Sequence, residues 1–208
     1  MHWNYPLTSY VYRPISVPIA ALLARTPVGP TEVSIGSALL SLGGGAAFAR
    51  SAYILGVILT LAGSITDCVD GDLARLTGKM SRRGALLDSV LDRWTDAALI
   101  IGLALSDLDR YGAAALLALT GSFLTSYARA RAHSLGIDCP AGLGTRDVRM
   151  LILMVAALFD AITLGLIVVA VLGAMTSVQR TAQAFRWLGE ADAAGHTGAT
   201  TETAPPER

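Results

Sequence analysis

Charge is what this chain has least of. Only 15% of its 208 residues are charged, against 53% hydrophobic, and its mean hydropathy is +0.53. A soluble domain carries nearer a quarter charged residues, so that class is excluded. Cysteine is almost missing: Cys68 and Cys139 lie too far apart for a metal-binding motif and read as small apolar side chains in a reducing compartment. His133 stands alone and is expected at the surface, and His196, in a polar tail, is no ligand candidate. The first 25 residues lack a continuous apolar core, so no cleavable signal peptide is expected. The formal net charge is zero, and no nucleic-acid partner is expected.

What the chain does have is long apolar runs, near 32–49, 52–73, 85–106, 111–132, 147–160 and 161–183. They predict an all-α, multi-pass membrane protein with six transmembrane helices in one domain over residues 31–187, Asp160 alone separating the last two runs. In residues 1–30, Val11, Ile15, Ile19, Leu22 and Leu23 can share a helical face, while Pro14 and Pro18 disfavour a long span. That segment reads as an amphipathic helix on the membrane surface, or as a loosely ordered arm. Thr31 is positioned to cap the first span, with Glu32 in its first turn. Gly43, Gly44 and Gly45, with Gly36 and Ser37, make a thin face for close helix packing. Residues 188–208 are small, polar and aperiodic, and are expected to be disordered.

With the N-terminus in the cytoplasm, 14 of the 16 basic residues fall on the cytoplasmic side and only Arg50 and Arg110 outside. This bias predicts a cell-membrane protein whose polar loops face the cytoplasm.

One stretch breaks the apolar pattern. Asp67–Asp96 holds six aspartates and five basic residues between two apolar runs. Asp67 and Asp70 are three apart, and Asp88, Asp92 and Asp96 recur every four, so each set shares a helix face. A buried Asp costs roughly 3 kcal/mol on insertion scales, so five of them would cost on the order of 15 kcal/mol unpaired. Arg75 and Arg93 cannot offset that. Paired carboxylates from two helices form an oxygen-rich cage suited to a hard divalent cation, Mg²⁺ or Mn²⁺. A glycine and an arginine beside them point to a metal-bound phosphate.

The spacing Asp67-x2-Asp70-Gly71-x2-Ala74-Arg75-x8-Gly84-x3-Asp88-x3-Asp92 resembles the signature of the CDP-alcohol phosphotransferase family at all eight fixed positions. The run Pro30-Thr31-Glu32-Val33-Ser34 is similar to that family's Pro-Asn-x-Val-Thr. The resemblance implies two Mg²⁺ ions (Mn²⁺ being an alternative) held by Asp67, Asp70, Asp88 and Asp92. It implies a seat for the CDP part of the donor made by Thr31, Ser34, Asp67, Asp70, Gly71, Ala74, Arg75 and Gly84. Asp92 would be the general base on the acceptor hydroxyl, CMP would leave, and a homodimer is expected. Asp96 lies outside the signature and would support the site or pair with Arg93.

The acceptor half lies downstream. Ser126-Tyr127-x-Arg129-Ala130-Arg131, Arg146-x2-Arg149 and Gln179-Arg180 bring arginines from three spans to the side of the acids, and arginine suits phosphate through bidentate bonds. These elements resemble the family branch that uses phosphorylated polyols, the phosphatidylinositol-phosphate and di-inositol-phosphate synthases, although Thr145 and Asp147 stand where that branch often has glutamates. An inositol 1-phosphate-like acceptor is favoured, with glycerol 3-phosphate second. The donor is left open between CDP-diacylglycerol and a soluble CDP-polyol such as CDP-inositol. A small cation transporter is the competing class, but it gives Gly71, Ala74, Arg75 and the arginines no role.

Overall fold

The computed structural model describes residues 12–137 and 144–199, and side-chain environments as far as Glu190. Among the described residues it is entirely helical: α1 (Arg13–Leu23), α2 (Pro30–Ala49), α3 (Tyr53–Leu76), α4 (Arg82–Ser106), α5 (Leu108–Ser134), α6 (Arg146–Leu158) and α7 (Ile162–Ala199). Helix α2 packs on α3 and α4, and α5 packs on α7.

Local chemistry sets the breaks. Helix α2 starts from Gly29 in extended backbone with Pro30 in its first turn. The expected cap at Thr31 is therefore displaced: proline lacks the amide proton and its φ already suits the first helical position. Thr31 lies inside the helix. Helix α3 ends at Thr77, where Gly78 takes φ +66° and the Lys79 amide reaches the Ala74 carbonyl at 3.0 Å. Only glycine adopts that conformation without penalty, and the bonds close the orphaned helix end. Ser81 opens α4, its hydroxyl accepting from the Gly84 amide at 3.0 Å.

Small residues bring the helices together, and of the expected glycine face Gly44 and Gly45 make the close approach while a Cβ on Gly36 would meet nothing within 4 Å. A Cβ on Gly45 would stand 2.5 Å from the Ala98 carbonyl oxygen, so α2 and α4 touch backbone to backbone there. Across the bundle, α5 and α7 meet at Gly121 and Gly173, beside a Thr125 hydroxyl 2.8 Å from the Gly173 carbonyl. Close approach of this kind is how helices gain packing energy where no hydrophobic force separates protein from lipid tails.

The apolar core, with Phe48, Leu99, Leu103, Tyr111, Leu153, Ile162 and Leu166, gathers near the C-terminal ends of α2, α4 and α6 and the starts of α5 and α7. Asp67, Asp70, Asp88, Asp92, Asp96, Arg146, Arg149 and Arg180 gather at the opposite end, while Arg50, Asp107, Asp109, Arg110 and Asp160 lie in or beside the turns at the core end. Many large apolar side chains, such as Leu39, Ile54, Leu116 and Leu164, point outward. Helices α2, α3 and Ile162–Glu190 of α7 are long and apolar enough to cross a membrane. Helix α6 has only 13 residues, about 20 Å at 1.5 Å per residue, against a hydrocarbon core of about 30 Å.

Helix α1 lies on α3 through a narrow stripe. Ser16 and Ala20 are fully buried, and Ala20 and Leu23 join Val33, Val69 and Leu73 in a small second cluster. Ile15, Val17, Ile19 and Leu22 face outward. At the other end α7 continues past Trp187 to Ala199, through the stretch read as aperiodic. Its alanines and Glu190 favour helix, and prolonging a helix already formed needs no new nucleus. Val11, Cys139 and residues 200–208 lie outside the described residues.

Candidate active site

Helices α3 and α4 each bring acids to the same end of the bundle. Asp67, Asp70 and Asp88 each offer one carboxylate oxygen, and the three oxygens lie within 4.8 Å of one another. Ligand oxygens on a single divalent cation sit roughly 3–5 Å apart, given metal–oxygen distances of 2.0–2.6 Å, so these three fit a hard cation. Asp70 is buried and accepts a short hydrogen bond from Ser34, whose hydroxyl is also 3.1 Å from the Pro30 carbonyl. The start of α2 thus braces the acid.

Asp92, expected as a fourth ligand, lies outside that trio and faces Arg146. Arg146 Nη1 is 2.7 Å from Asp92 and 3.1 Å from Asp67, while its Nε is 2.9 Å from Asp96 and its Nη2 2.8 Å from the Thr95 hydroxyl. One guanidinium therefore spans three carboxylates. Asp96, only 1% exposed, is also approached by Arg149 at 3.6 Å and Arg93 at 3.8 Å. Its main partner is Arg146 rather than the expected Arg93.

Two cavities open beside the acids. The first, about 490 Å³, is lined by Thr31, Ser34, Asp70, Gly71, Ala74, Arg75, Gly84 and Asp88. It takes in every residue expected at the nucleotide except Asp67. Lys79 and Met80 from the α3–α4 turn also line it. Gly71 and Ala74 bring no large side chain of their own to one wall, and the Arg75 guanidinium lies over Gly71. The second cavity, about 570 Å³, is lined by Asp88, Asp92, Arg93, Arg129, Arg146, Arg149 and Arg180, with Thr125, Ser126 and His133. Asp88 belongs to both walls.

Four of the five arginines expected at an acceptor phosphate converge on the second cavity. Arg131 is absent from its lining; it is exposed and reaches the Ser134 hydroxyl at 3.4 Å. Residues two apart on a helix point about 200° apart, so Arg129 and Arg131 cannot share a direction. Arg149 and Arg180 are almost fully buried and anchored on carbonyls, Arg149 on Gly144 at 2.5 Å and Arg180 on Thr125 at 2.8 Å. Arg93 and His133 join the lining although the sequence singled out neither for it. Arg93 sits one residue after the motif's last acid, and His133 falls four residues, about one turn, after Arg129, which is the signal that would have found it.

Asp72 is a further unanticipated residue. It is buried, accepts from Ser16 of α1 at 2.6 Å and pairs with Arg75 at 2.7 Å.

Comparison with known proteins shows the family. The chain is 37% identical to archaetidylinositol phosphate synthase of Pyrococcus horikoshii over 171 residues, covering 82% of this chain and 90% of that protein. It is 34% identical over 199 residues to phosphatidylinositol phosphate synthase of Streptomyces avermitilis, covering 86% and 82%. Among solved structures, the phosphatidylinositol phosphate synthase of Mycobacterium tuberculosis with CDP-DAG bound superposes with a TM-score of 0.76 at 29% identity, covering 83% of this chain and 94% of that one. The same enzyme in complex with manganese and citrate also scores 0.76. The family model described as CDP-alcohol phosphatidyltransferase matches residues 28–188. With its acids, small residues and two cavities in place, this chain belongs to the CDP-alcohol phosphatidyltransferase family and is a membrane transferase.

Proposed function

We propose that this protein moves the phosphoalcohol group of a CDP-linked glycerolipid, CDP-diacylglycerol or a close analogue, to a hydroxyl of an inositol phosphate, releasing CMP. The observation that carries the reading is that Asp88 lies in the walls of both cavities, so a nucleotide seat and an arginine-lined phosphate seat meet at one carboxylate.

The parts divide as follows. Gly71 and Ala74 admit the nucleotide close to the α3 backbone, and Arg75 and Lys79 face its phosphates. Asp67, Asp70, Asp88 and, with Arg146 drawn aside, Asp92 hold divalent cations, two Mg²⁺ or Mn²⁺ ions. Bound there, the cations neutralise the pyrophosphate and the departing CMP. Arg129, Arg146, Arg149 and Arg180 receive the acceptor's phosphate. Arg149 and Arg180 are already fixed by carbonyls, so little side-chain freedom is lost when the anion binds. The acceptor hydroxyl then faces Asp92, which takes its proton as the oxygen attacks the phosphorus bearing the lipid alcohol. The bond to the CMP oxygen breaks in the same displacement.

In the membrane, six helices α2–α7 span as one domain over 31–187, while α1, within 1–30, lies at the cytoplasmic surface with Ile15, Val17, Ile19 and Leu22 toward lipid. The acid end faces the cytoplasm, residues 188–208 form a tail outside the catalytic domain, and the protein works as a homodimer.

The test is CMP release by purified protein in liposomes with Mg²⁺ and CDP-diacylglycerol, comparing inositol 1-phosphate, glycerol 3-phosphate and free inositol. Release with inositol 1-phosphate at least tenfold faster than with free inositol is expected, since only the former offers the arginines of the second cavity a phosphate, and release with glycerol 3-phosphate is expected to be slower than with inositol 1-phosphate. Equal or faster release with glycerol 3-phosphate overturns the acceptor assignment.

A further inference from the structure

Asp72 is not among the motif's fixed positions, yet it is one of the most buried acids in the chain, 7% exposed. Its two carboxylate oxygens are divided between two elements. Oδ2 accepts from the Ser16 hydroxyl of α1 at 2.6 Å, with Ser16 itself fully buried. Oδ1 takes Arg75 Nη2 at 2.7 Å. The pairing folds the Arg75 guanidinium back over the glycine of the donor seat: a Cβ placed on Gly71 would meet Arg75 Nη2 at 3.5 Å. Arg75 is otherwise half exposed and lines the nucleotide cavity. A long arginine side chain at such a site samples many rotamers unless something fixes it, and a charge-assisted hydrogen bond to a buried carboxylate does so.

We infer that Asp72 is a positioning residue for the donor, holding Arg75 over Gly71 and tying that arrangement to α1, so that the surface helix and the nucleotide seat form one unit. It acts through Arg75 and touches no substrate. The inference rests on the reading of the Gly71–Arg75 cavity as the donor seat.

A kinetic cycle tests it, with the donor and acceptor KM measured separately for liposome-reconstituted protein with Mg²⁺. Arg75→Ala raises the donor KM by about tenfold, the usual worth of one charge-assisted phosphate contact. Asp72→Asn raises the donor KM by about fivefold and leaves the acceptor KM within about twofold. The double variant is no worse than Arg75→Ala alone, because Asp72 has nothing left to position. Ser16→Ala, which keeps the Asp72–Arg75 pair but cuts the tie to α1, raises the donor KM by about threefold. It carries the test if Asp72→Asn does not reach the membrane folded.

A donor KM unchanged in Asp72→Asn and Ser16→Ala, with Arg75→Ala impaired, overturns the inference and leaves the donor seat standing. Additive effects of Asp72→Asn and Arg75→Ala overturn it as well, since they mark a general structural role. An unchanged donor KM in Arg75→Ala removes the donor-seat reading and the inference with it.

Discussion

Arg146, the first residue of α6, places its Nη1 2.7 Å from the carboxylate of Asp92 on α4. The basic residue expected to greet the acceptor is thereby also the counter-charge of the acid expected to deprotonate it. With Asp67 and Asp96 on the same guanidinium, this arginine relieves repulsion that a divalent cation would otherwise have to neutralise.

Arg146→Gln should therefore destabilise the protein most when no cation is present. Removing one partner of a buried pair costs about 3–5 kcal/mol. Asp67 and Asp92 are 27% and 20% exposed and the buried Asp96 keeps Arg93 and Arg149 nearby, so this falls to about 2 kcal/mol, a fall in Tm of roughly 4–8 °C for a chain this long. Melting in detergent with a chelator should show the fall, and added Mn²⁺ should restore most of it. An equal loss with and without Mn²⁺ would show that Arg146 does not share the acids with a cation.

Asp92→Asn should lower CMP release by at least about a hundredfold, the lower end of what a general base supplies, while the helical circular dichroism stays unchanged. Near-normal turnover would exclude Asp92 as the base.

The two arginines near the end of α5 separate cleanly. Arg129 lines the second cavity and Arg131 does not. Arg129→Ala should raise the acceptor KM by about tenfold with little change for the donor, and Arg131→Ala should change neither by more than about twofold. Matching effects from the two would mean that charge at this helix end matters only as a general field.

Ala74→Leu should fill part of the 490 Å³ cavity and raise the donor KM by at least about tenfold, with the acceptor KM and the melting temperature nearly unchanged, because the added carbons project into the cavity and not into the core. A donor KM like the wild type would place the nucleotide elsewhere.

The helix order and the facing of the acids are legible in the sequence, because both rest on local signals. Apolar runs of fixed length delimit helices, and acids at i and i+3 or i+4 share a face. Thr31, Ser34, Gly71, Ala74, Arg75 and Gly84, which the family resemblance implies, all line one cavity. What stays hidden depends on contacts across long sequence distances. Arg146 meets Asp67 from 79 positions away, and Ser16 meets Asp72 from 56. No periodicity encodes which of several arginines turns toward an acid, or that a serine in a proline-containing arm finds a buried carboxylate. The expectation for Arg131 fails for the reverse reason: its neighbourhood to Arg129 in sequence is opposition on a helix.

Arg146 opens α6 and binds Asp96, which lies fourteen residues after Arg82 at the start of α4, about 21 Å along that helix at 1.5 Å per residue. Where α4 has already run that far, α6 has only begun, and it has 13 residues. The second cavity, beside the start of α6, is walled by the guanidinium groups of Arg93, Arg129, Arg146, Arg149 and Arg180. In the proposed reaction, a water-soluble polyol phosphate entering this cavity would meet a lipid-borne phosphorus without either substrate leaving its own phase.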